Sequence, residues 1–184
     1  MSYLSEELNR LDVNRIIVVE TNQAFLAAAR ELVKEAPRVS WDFHHAAAEV
    51  THAIRDNNPP IGLILTSPDL AKKREGVELY GFASLHGIPA LVMHEIALPG
   101  GSRITQQLGL FTEKLVPGSK KDTAVWRNAV QTFVKSREPD DKSLPSHIAL
   151  QAMYQAVRSQ GFSSEQIRHA SLGLQSIVLS QLKS

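Results

Sequence analysis

The 184-residue sequence has no cysteine, almost no excess of either charge and no long hydrophobic run. The absence of cysteine excludes disulfide bonds, a thiol nucleophile and thiolate metal ligands. Its 20 Lys and Arg residues against 19 Asp and Glu residues give a formal charge of +1, so broad attraction to nucleic acid or to anionic membranes is not expected. No apolar stretch approaches the roughly 18 residues of a membrane-spanning helix, and the first residues do not read as a signal peptide. We therefore expect a soluble, cytoplasmic protein without membrane insertion.

Apolar runs of two periodicities alternate through most of the chain. Short β-branched runs are typical of strands that are covered on both faces, and the segments between them carry apolar residues at helical spacing. The predicted strands cover 15–19, 39–43, 61–65, 88–93 and 111–116. The predicted helices cover 23–36, 46–55, 77–85, 102–108 and 122–135. This alternation with short connections predicts an α/β fold with a doubly wound, five-stranded parallel sheet of the flavodoxin-like type.

The sequence outside this α/β domain, which spans 15–136, has a different character. Residues 1–14 have a leucine stripe and predict a short amphipathic N-terminal helix. Residues 137–145 are charged, contain two prolines and predict a linker. Residues 146–184 contain two helical segments separated by a glycine, which predicts a C-terminal helical hairpin.

Four stretches of the α/β domain carry a resemblance to a known family. They are IIVVETN (16–22), IGLILTSPDL (61–70), IPALVMHE (88–95) and GLFTEKLVP (109–117). In order and punctuation they resemble the strand ends of the receiver domain of bacterial response regulators. The resemblance implies a phosphorylation site at the carboxyl ends of the strands. Receiver chemistry needs an acceptor carboxylate, further carboxylates for Mg²⁺, a hydroxyl residue and a lysine.

The positions that the resemblance assigns to this chemistry are mostly occupied by other residue types. The phosphoacceptor position falls on Thr66, and the acidic pair is reduced to Glu20 and Thr21. The hydroxyl position falls on His94 and the lysine position on Val116. Since threonine cannot form an acyl phosphate, we expect a degenerate receiver, or pseudo-receiver, that is not an enzyme and uses no cofactor.

Polar residues at the predicted strand ends leave a second interpretation open. Glu20 and Asp69 offer oxygen ligands to a cation, or contacts to a small molecule, at the edge where open parallel sheets bind ligands. Two carboxylates are few for Mg²⁺, so polar residues that end strands are the simpler interpretation. His45, Glu49 and His52 share one helical face, which we interpret as a solvated stripe; we predict no metal site. Kinase modification of a serine or threonine stays open.

The predicted partner surfaces are apolar and lie in two places. By analogy with receivers, the segment 104–126 is a docking surface, and the tail carries an apolar stripe without any charge from 170 to 182. The predicted partner-binding residues are Ile104, Leu108, Phe111, Trp126, Ile167, Leu174, Ile177 and Val178. We expect a protein-interaction module of a two-component signalling or regulatory pathway, with a hairpin that forms a homodimer or docks a partner.

One further alternative concerns the tail. Two helices joined at a glycine also fit a helix-turn-helix, and the protein would then be a transcription regulator that binds DNA. The second segment has only Arg168, His169 and Lys183 as basic groups. Because phosphate binding needs more positive charge than this, DNA binding is the less favoured interpretation. Lys120 and Lys121 form a similarly small basic pair, which we interpret as solvated surface.

Overall fold

The computed structural model describes residues 3–108 and 114–137. The helices are α1 (Tyr3–Arg10), α2 (Gln23–Arg30), α3 (Leu32–Glu35), α4 (Ala47–Asp56), α5 (Glu75–Leu85) and α6 (Thr123–Arg137). The strands are β1 (Arg15–Val19), β2 (Ser40–His44), β3 (Leu63–Thr66), β4 (Ala90–Ala97), β5 (Arg103–Leu108) and β6 (Lys114–Pro117). The predicted linker and C-terminal hairpin lie outside the described residues.

The strands form one mixed sheet in the order β2-β1-β3-β4-β5-β6. Neighbours among β1 to β4 are parallel, whereas β5 is antiparallel to both β4 and β6. The α/β class is therefore confirmed, and the predicted five-stranded parallel sheet is replaced by a six-stranded one with an antiparallel edge.

The difference lies in the segment for which the sequence predicted a short helix, 102–108. This prediction is wrong, because the segment is the strand β5. Gly100 and Gly101 have φ angles of 93° and 82°, a conformation that glycine adopts without steric cost. They turn the chain back on itself, and Leu98 N donates to the carbonyl of Ser102 at 2.8 Å. β4 consequently runs on to Ala97 and pairs with β5 as a hairpin.

The first core lies between one face of the sheet and helices α1, α2, α3 and α6. Ile16 and Val18 of β1 point into it and meet Leu8 of α1, Leu26 of α2 and Trp126 of α6, all of them fully buried. The N-terminal helix is thus part of the α/β body. Burying such side chains removes apolar surface from water, which is the main force that holds these helices on the sheet.

The second core lies on the opposite face, under α4 and α5. Ile17 and Val19 of β1 point into it, together with Ile64 of β3, Ile54 of α4 and Leu79 of α5. Alternate residues of β1 therefore enter opposite cores. This explains why the sequence of a strand in the middle of the sheet is a continuous apolar run instead of an alternating one.

Candidate functional site

Three buried polar side chains meet where two parallel strands end. Glu20 directly follows β1, Ser67 directly follows β3, and Lys120 lies in the loop between β6 and α6. Their exposed fractions are 2%, 3% and 4%, respectively. We call these three residues the strand-end cluster. It occupies the edge at which open parallel sheets commonly bind ligands.

Lys120 is the centre of the strand-end cluster. Its Nζ donates to Ser67 Oγ at 2.5 Å, to the carbonyl of Met93 at 3.2 Å and to Glu20 Oε2 at 3.4 Å. The same ammonium lies 4.4 Å from the ring centroid of Phe25, a cation–π contact. Ser67 Oγ in turn donates to Glu20 Oε2. Lys120 thereby connects the residues that follow β1 and β3 with the middle of β4.

The second carboxylate oxygen of Glu20 is held by the backbone at the start of α2. Glu20 Oε1 accepts hydrogen bonds from the amides of Thr21 and Asn22, each at 2.9 Å. Amides at the beginning of a helix favour a negative charge. Asn22 caps the same helix by accepting from the amides of Ala24 and Phe25. Both oxygens of Glu20 are therefore engaged inside the protein.

The charges of the strand-end cluster balance each other. Burial lowers the pKa of Lys120 below its ordinary value, while the charge of Glu20, its hydrogen bond and the charge of Glu95 raise it and so oppose that shift. A buried ion pair of this kind is stable only when its remaining hydrogen-bonding capacity is satisfied. Ser67 and the carbonyl of Met93 meet that need for the ammonium. The arrangement is a closed, neutral network.

Glu95 on β4 fixes the backbone that carries Lys120. Glu95 Oε1 accepts from Ser119 Oγ at 2.6 Å and from the amide of Lys120 at 3.1 Å. Burial by itself raises the pKa of Glu95. The hydrogen bonds from Ser119 and Lys120, with the charges of Lys120 and Arg103, outweigh burial, so the net pKa is lowered. Trp126 Nε1 donates to the carbonyl of Lys120 at 2.7 Å. The loop is therefore anchored on both sides of Lys120.

Ser67 is positioned by a close approach of α5 to the end of β3. A Cβ atom on Gly76 would lie 1.7 Å from the carbonyl oxygen of Ser67, so only glycine fits there. The neighbouring Thr66 is fully buried, and its hydroxyl donates to the carbonyl of Ser67 at 3.2 Å. Thr66 thus supports the turn instead of joining the strand-end cluster.

The structure brings only one of the five predicted phosphorylation positions into the cluster, namely Glu20. Thr21 contributes its backbone amide while its side chain is exposed, and His94 is exposed on β4. Val116 lies in the first core at 5% exposure. Sequence reasoning placed Ser67 among the polar residues at the strand ends but missed Lys120, and the interpretation of Lys120 as solvated surface is wrong. Lys121 next to it is exposed, as predicted.

The two predicted cation ligands have different environments and partners. Asp69 is exposed and its Oδ1 accepts from the amide of Arg74 at 2.6 Å, whereas Glu20 is buried and uses both oxygens within the strand ends and the start of α2. The histidines of the β2–α4 region make local pairs instead: His44 with Glu49, and His52 with an aspartate one turn further on. Across the residues that the structure describes, no group of three or more His, Asp or Glu side chains is arranged to hold a metal ion.

The predicted partner-binding residues separate into three groups. Trp126 is fully buried in the first core, so its assignment to a partner surface is wrong. Ile104 and Leu108 on β5 are partly exposed. The other predicted residues lie outside the described part of the chain: Phe111, Ile167, Leu174, Ile177 and Val178.

Ile104 and Leu108 belong to an area of the sheet that lies outside both described cores. On β4, β5 and β6, the alternate side chains on the α5 side include six that are at least partly exposed: His94, Ile96, Ile104, Gln106, Leu108 and Leu115. We call these six residues the open face. Leu115 is 61% exposed and the others are partly or fully exposed. The described residues of the second core come from β1, β3, β4, α4 and α5 and their flanking loops, none from β5 or β6, so the open face is a continuation of the sheet beyond that core.

Neither a membrane-spanning helix among the described residues nor a similar known protein points to a function. Among the helices in residues 3–108 and 114–137, none is both long and apolar enough to cross a membrane. No protein-family model, curated protein or solved structure matches the chain. The geometry of the strand-end cluster and of the open face is therefore the basis for assigning a function.

Proposed function

We propose that this chain is a pseudo-receiver: a cytoplasmic, non-enzymatic regulatory module that acts through protein–protein binding without aspartyl phosphorylation. In this proposal the α/β body is a receiver-like scaffold, and the C-terminal segment makes the chain a homodimer. The signalling context comes from the receiver resemblance of the strand ends, which is an argument from fold analogy.

The observation that carries the proposal is the internal pairing of Glu20 with Lys120. Magnesium-dependent phosphoryl transfer needs a group of oxygen ligands that can hold the cation and an acceptor that can take the phosphoryl group. Here the carboxylate at the end of β1 uses both oxygens within the protein. The residues at the end of β3 are Thr66 and Ser67, neither of which is a carboxylate. The lysine already has its counter-ion.

The same strand ends also support the receiver comparison. The order β2-β1-β3-β4 of parallel strands, the acidic residue after β1 and the lysine after β6 are in keeping with the proposed receiver-like scaffold. Lys120 is four residues beyond Val116, and Gly118 with a φ angle of 112° allows the turn between them. In this proposal the acceptor and the cation ligands have been replaced, and Lys120 supplies a lysine near the position that the resemblance assigned to Val116.

Protein binding is supported by exposed apolar surface. Isolated exposed apolar residues are common, but a contiguous uncharged area on a sheet is typical of an interaction site. The open face is such an area. The tail adds a second apolar element, because the sequence predicts a helix that carries no charge from 170 to 182.

Incubation of the full chain with acetyl phosphate and Mg²⁺ tests the loss of phosphorylation. We expect no phosphoryl adduct by intact mass spectrometry and no Mg²⁺-dependent rise in melting temperature, because the described strand ends hold neither an acceptor carboxylate nor a group of free cation ligands. A phosphorylatable receiver domain in the same buffer is the positive control. A stoichiometric adduct that is labile to base, or a saturable Mg²⁺ shift that Glu20→Gln removes, would contradict the proposal.

A further inference from the structure

We propose that the open face binds the C-terminal segment 163–182 of a second copy of this chain, docked as a helix, so that two chains exchange their tails. This inference rests on the proposed homodimer and adds the surface that receives the tail. The size of the open face and its lack of charged side chains favour a single helix as the bound element.

The dimensions of the open face fit one helix. The central strand β5 has six residues, which corresponds to a length of about 20 Å, and three strands span about 10–14 Å. The resulting area of about 300 Å² is far below the roughly 800 Å² that each partner contributes to a stable interface between folded domains. A helix with its side chains is about 10–12 Å across and therefore covers three strands.

The chemistry of the tail matches that surface. The open face contains no Asp, Glu, Lys or Arg, and the sequence between 170 and 182 contains none either. As a helix, this uncharged stretch is about 20 Å long, the length of β5. Its predicted stripe of Leu174, Ile177 and Val178 can therefore cover Leu115 and Ile104 without removing any ion from water.

Exchange between two chains gives the dimer a sufficient interface. One tail on one open face buries roughly 600 Å² in total, whereas two symmetric contacts bury roughly 1,200 Å², the lower limit for a specific complex. The predicted linker 137–145 reaches about 30 Å when extended, and the first helical segment of the predicted hairpin adds about 20 Å, so the second segment can reach another body. Two-fold exchange is also the commonest symmetry of homodimers.

Charge substitutions on the full chain test the docking surface. We expect Leu115→Lys and Ile177→Lys each to raise the dimer dissociation constant roughly tenfold or more, as removal of a central apolar contact does. Leu85→Lys is the matched control, because Leu85 is a similarly exposed leucine, 50% against 61%, at the end of α5 and is not one of the six open-face residues. Sedimentation velocity over a concentration series measures all three variants beside the wild type.

Cross-linking then identifies the contact, since the chain has no cysteine of its own. We mix a Leu115→Cys chain with an Ile177→Cys chain and add a short bismaleimide. We expect a covalent heterodimer in at least fivefold excess over the mixture of Leu85→Cys with Ile177→Cys. Unpaired cysteines in both mixtures would overturn the inference.

The results separate this inference from the proposed function. If Ile177→Lys yields monomers while Leu115→Lys stays dimeric, the tail dimerises elsewhere and the docking surface is wrong, but the homodimer stands. If the wild type is monomeric at all concentrations, the homodimer itself is wrong. If a Leu115→Cys, Ile177→Cys double variant cross-links within a single chain of monomer mass, the occupant is not a second copy, which also overturns the inference.

Discussion

At the scale of single residues, the strand-end cluster depends on charge compensation in a buried place. Glu20 and Lys120 are both almost fully buried, so each is tolerated because of the other and of Ser67 between them. Removing one partner of such a pair leaves an uncompensated charge, which costs far more than the pair itself contributes. The sequence could not predict this pairing, because the two residues are 100 positions apart and Lys120 stands in a polar loop.

Lys120→Met is expected to lower the free energy of unfolding by about 3–5 kcal/mol, because Glu20 then remains buried without a counter-ion. Urea denaturation at neutral pH measures this change. The double variant Glu20→Gln, Lys120→Met is expected to be more stable than Lys120→Met alone. Lys121→Met is the control, since Lys121 is exposed and its replacement should change stability by no more than about 0.5 kcal/mol. Equal effects at positions 120 and 121 would contradict the buried ion pair.

Glu95 gives a prediction for the pH dependence of stability. Its pKa is lower in the folded chain than the ordinary value of 4.5 for glutamate, so the unfolded chain binds more protons at acidic pH. Glu95 therefore stabilises the fold above pH 4.5, and this contribution is lost as the pH falls from there through the folded pKa. We expect Glu95→Gln to flatten the acid limb of a plot of unfolding free energy against pH. Glu78→Gln, at an exposed position on α5, should leave that limb steep; flattening by both variants would contradict the assignment.

At the scale of elements, the β4–β5 hairpin is the feature that separates this sheet from the predicted one. The segment 103–108 alternates between partly exposed and buried residues, and Thr105 and Gln107 point inward. Sequence reasoning favoured a helix there because a Gly-rich turn after a strand commonly precedes one in α/β folds. Strands β1, β3 and β4 were predictable in outline, since continuous apolar runs identify buried parallel strands, whereas the edge strand β2 was predicted although its sequence is mixed. The extension of β4 to Ala97 was not, because it depends on pairing with β5.

A glycine substitution in the hairpin turn and a second one inside α5 should have opposite effects on the stability of the protein. Gly100→Ala is expected to destabilise the protein by about 1–2 kcal/mol, because alanine is strained at the φ angle of 93° that the turn requires. Gly81→Ala should stabilise it by about 0.5–1 kcal/mol, because Gly81 is inside α5 and a Cβ there meets nothing within 4 Å. Thermal unfolding followed by circular dichroism measures both. A neutral or stabilising effect at position 100 would show that this turn does not have the described conformation.

At the scale of the whole molecule, the described chain has a closed strand-end cluster and an exposed, largely apolar surface. The cost of removing charges from water and apolar groups from contact with one another explains both features. Buried charges are tolerated when a partner compensates them, as in Glu20 and Lys120. A contiguous group of exposed apolar residues, such as the one that contains Leu115, is typical of an interaction surface. The receiver resemblance directed attention to the ends of β1 and β3, where Glu20 and Ser67 lie. It placed the lysine at Val116, which lies in the core, because sequence spacing does not show how the β6–α6 loop turns back.

We propose that this chain acts by self-association through its tail. Multi-angle light scattering measures the mass of the full chain at micromolar concentration, beside the variants Ile177→Lys and Ser176→Lys. By helical spacing, position 176 lies opposite the apolar stripe and serves as the control. We expect the mass of a dimer for the wild type and for Ser176→Lys, and the mass of a monomer for Ile177→Lys. A wild-type monomer, or a dimer that Ile177→Lys leaves intact, would contradict the claim.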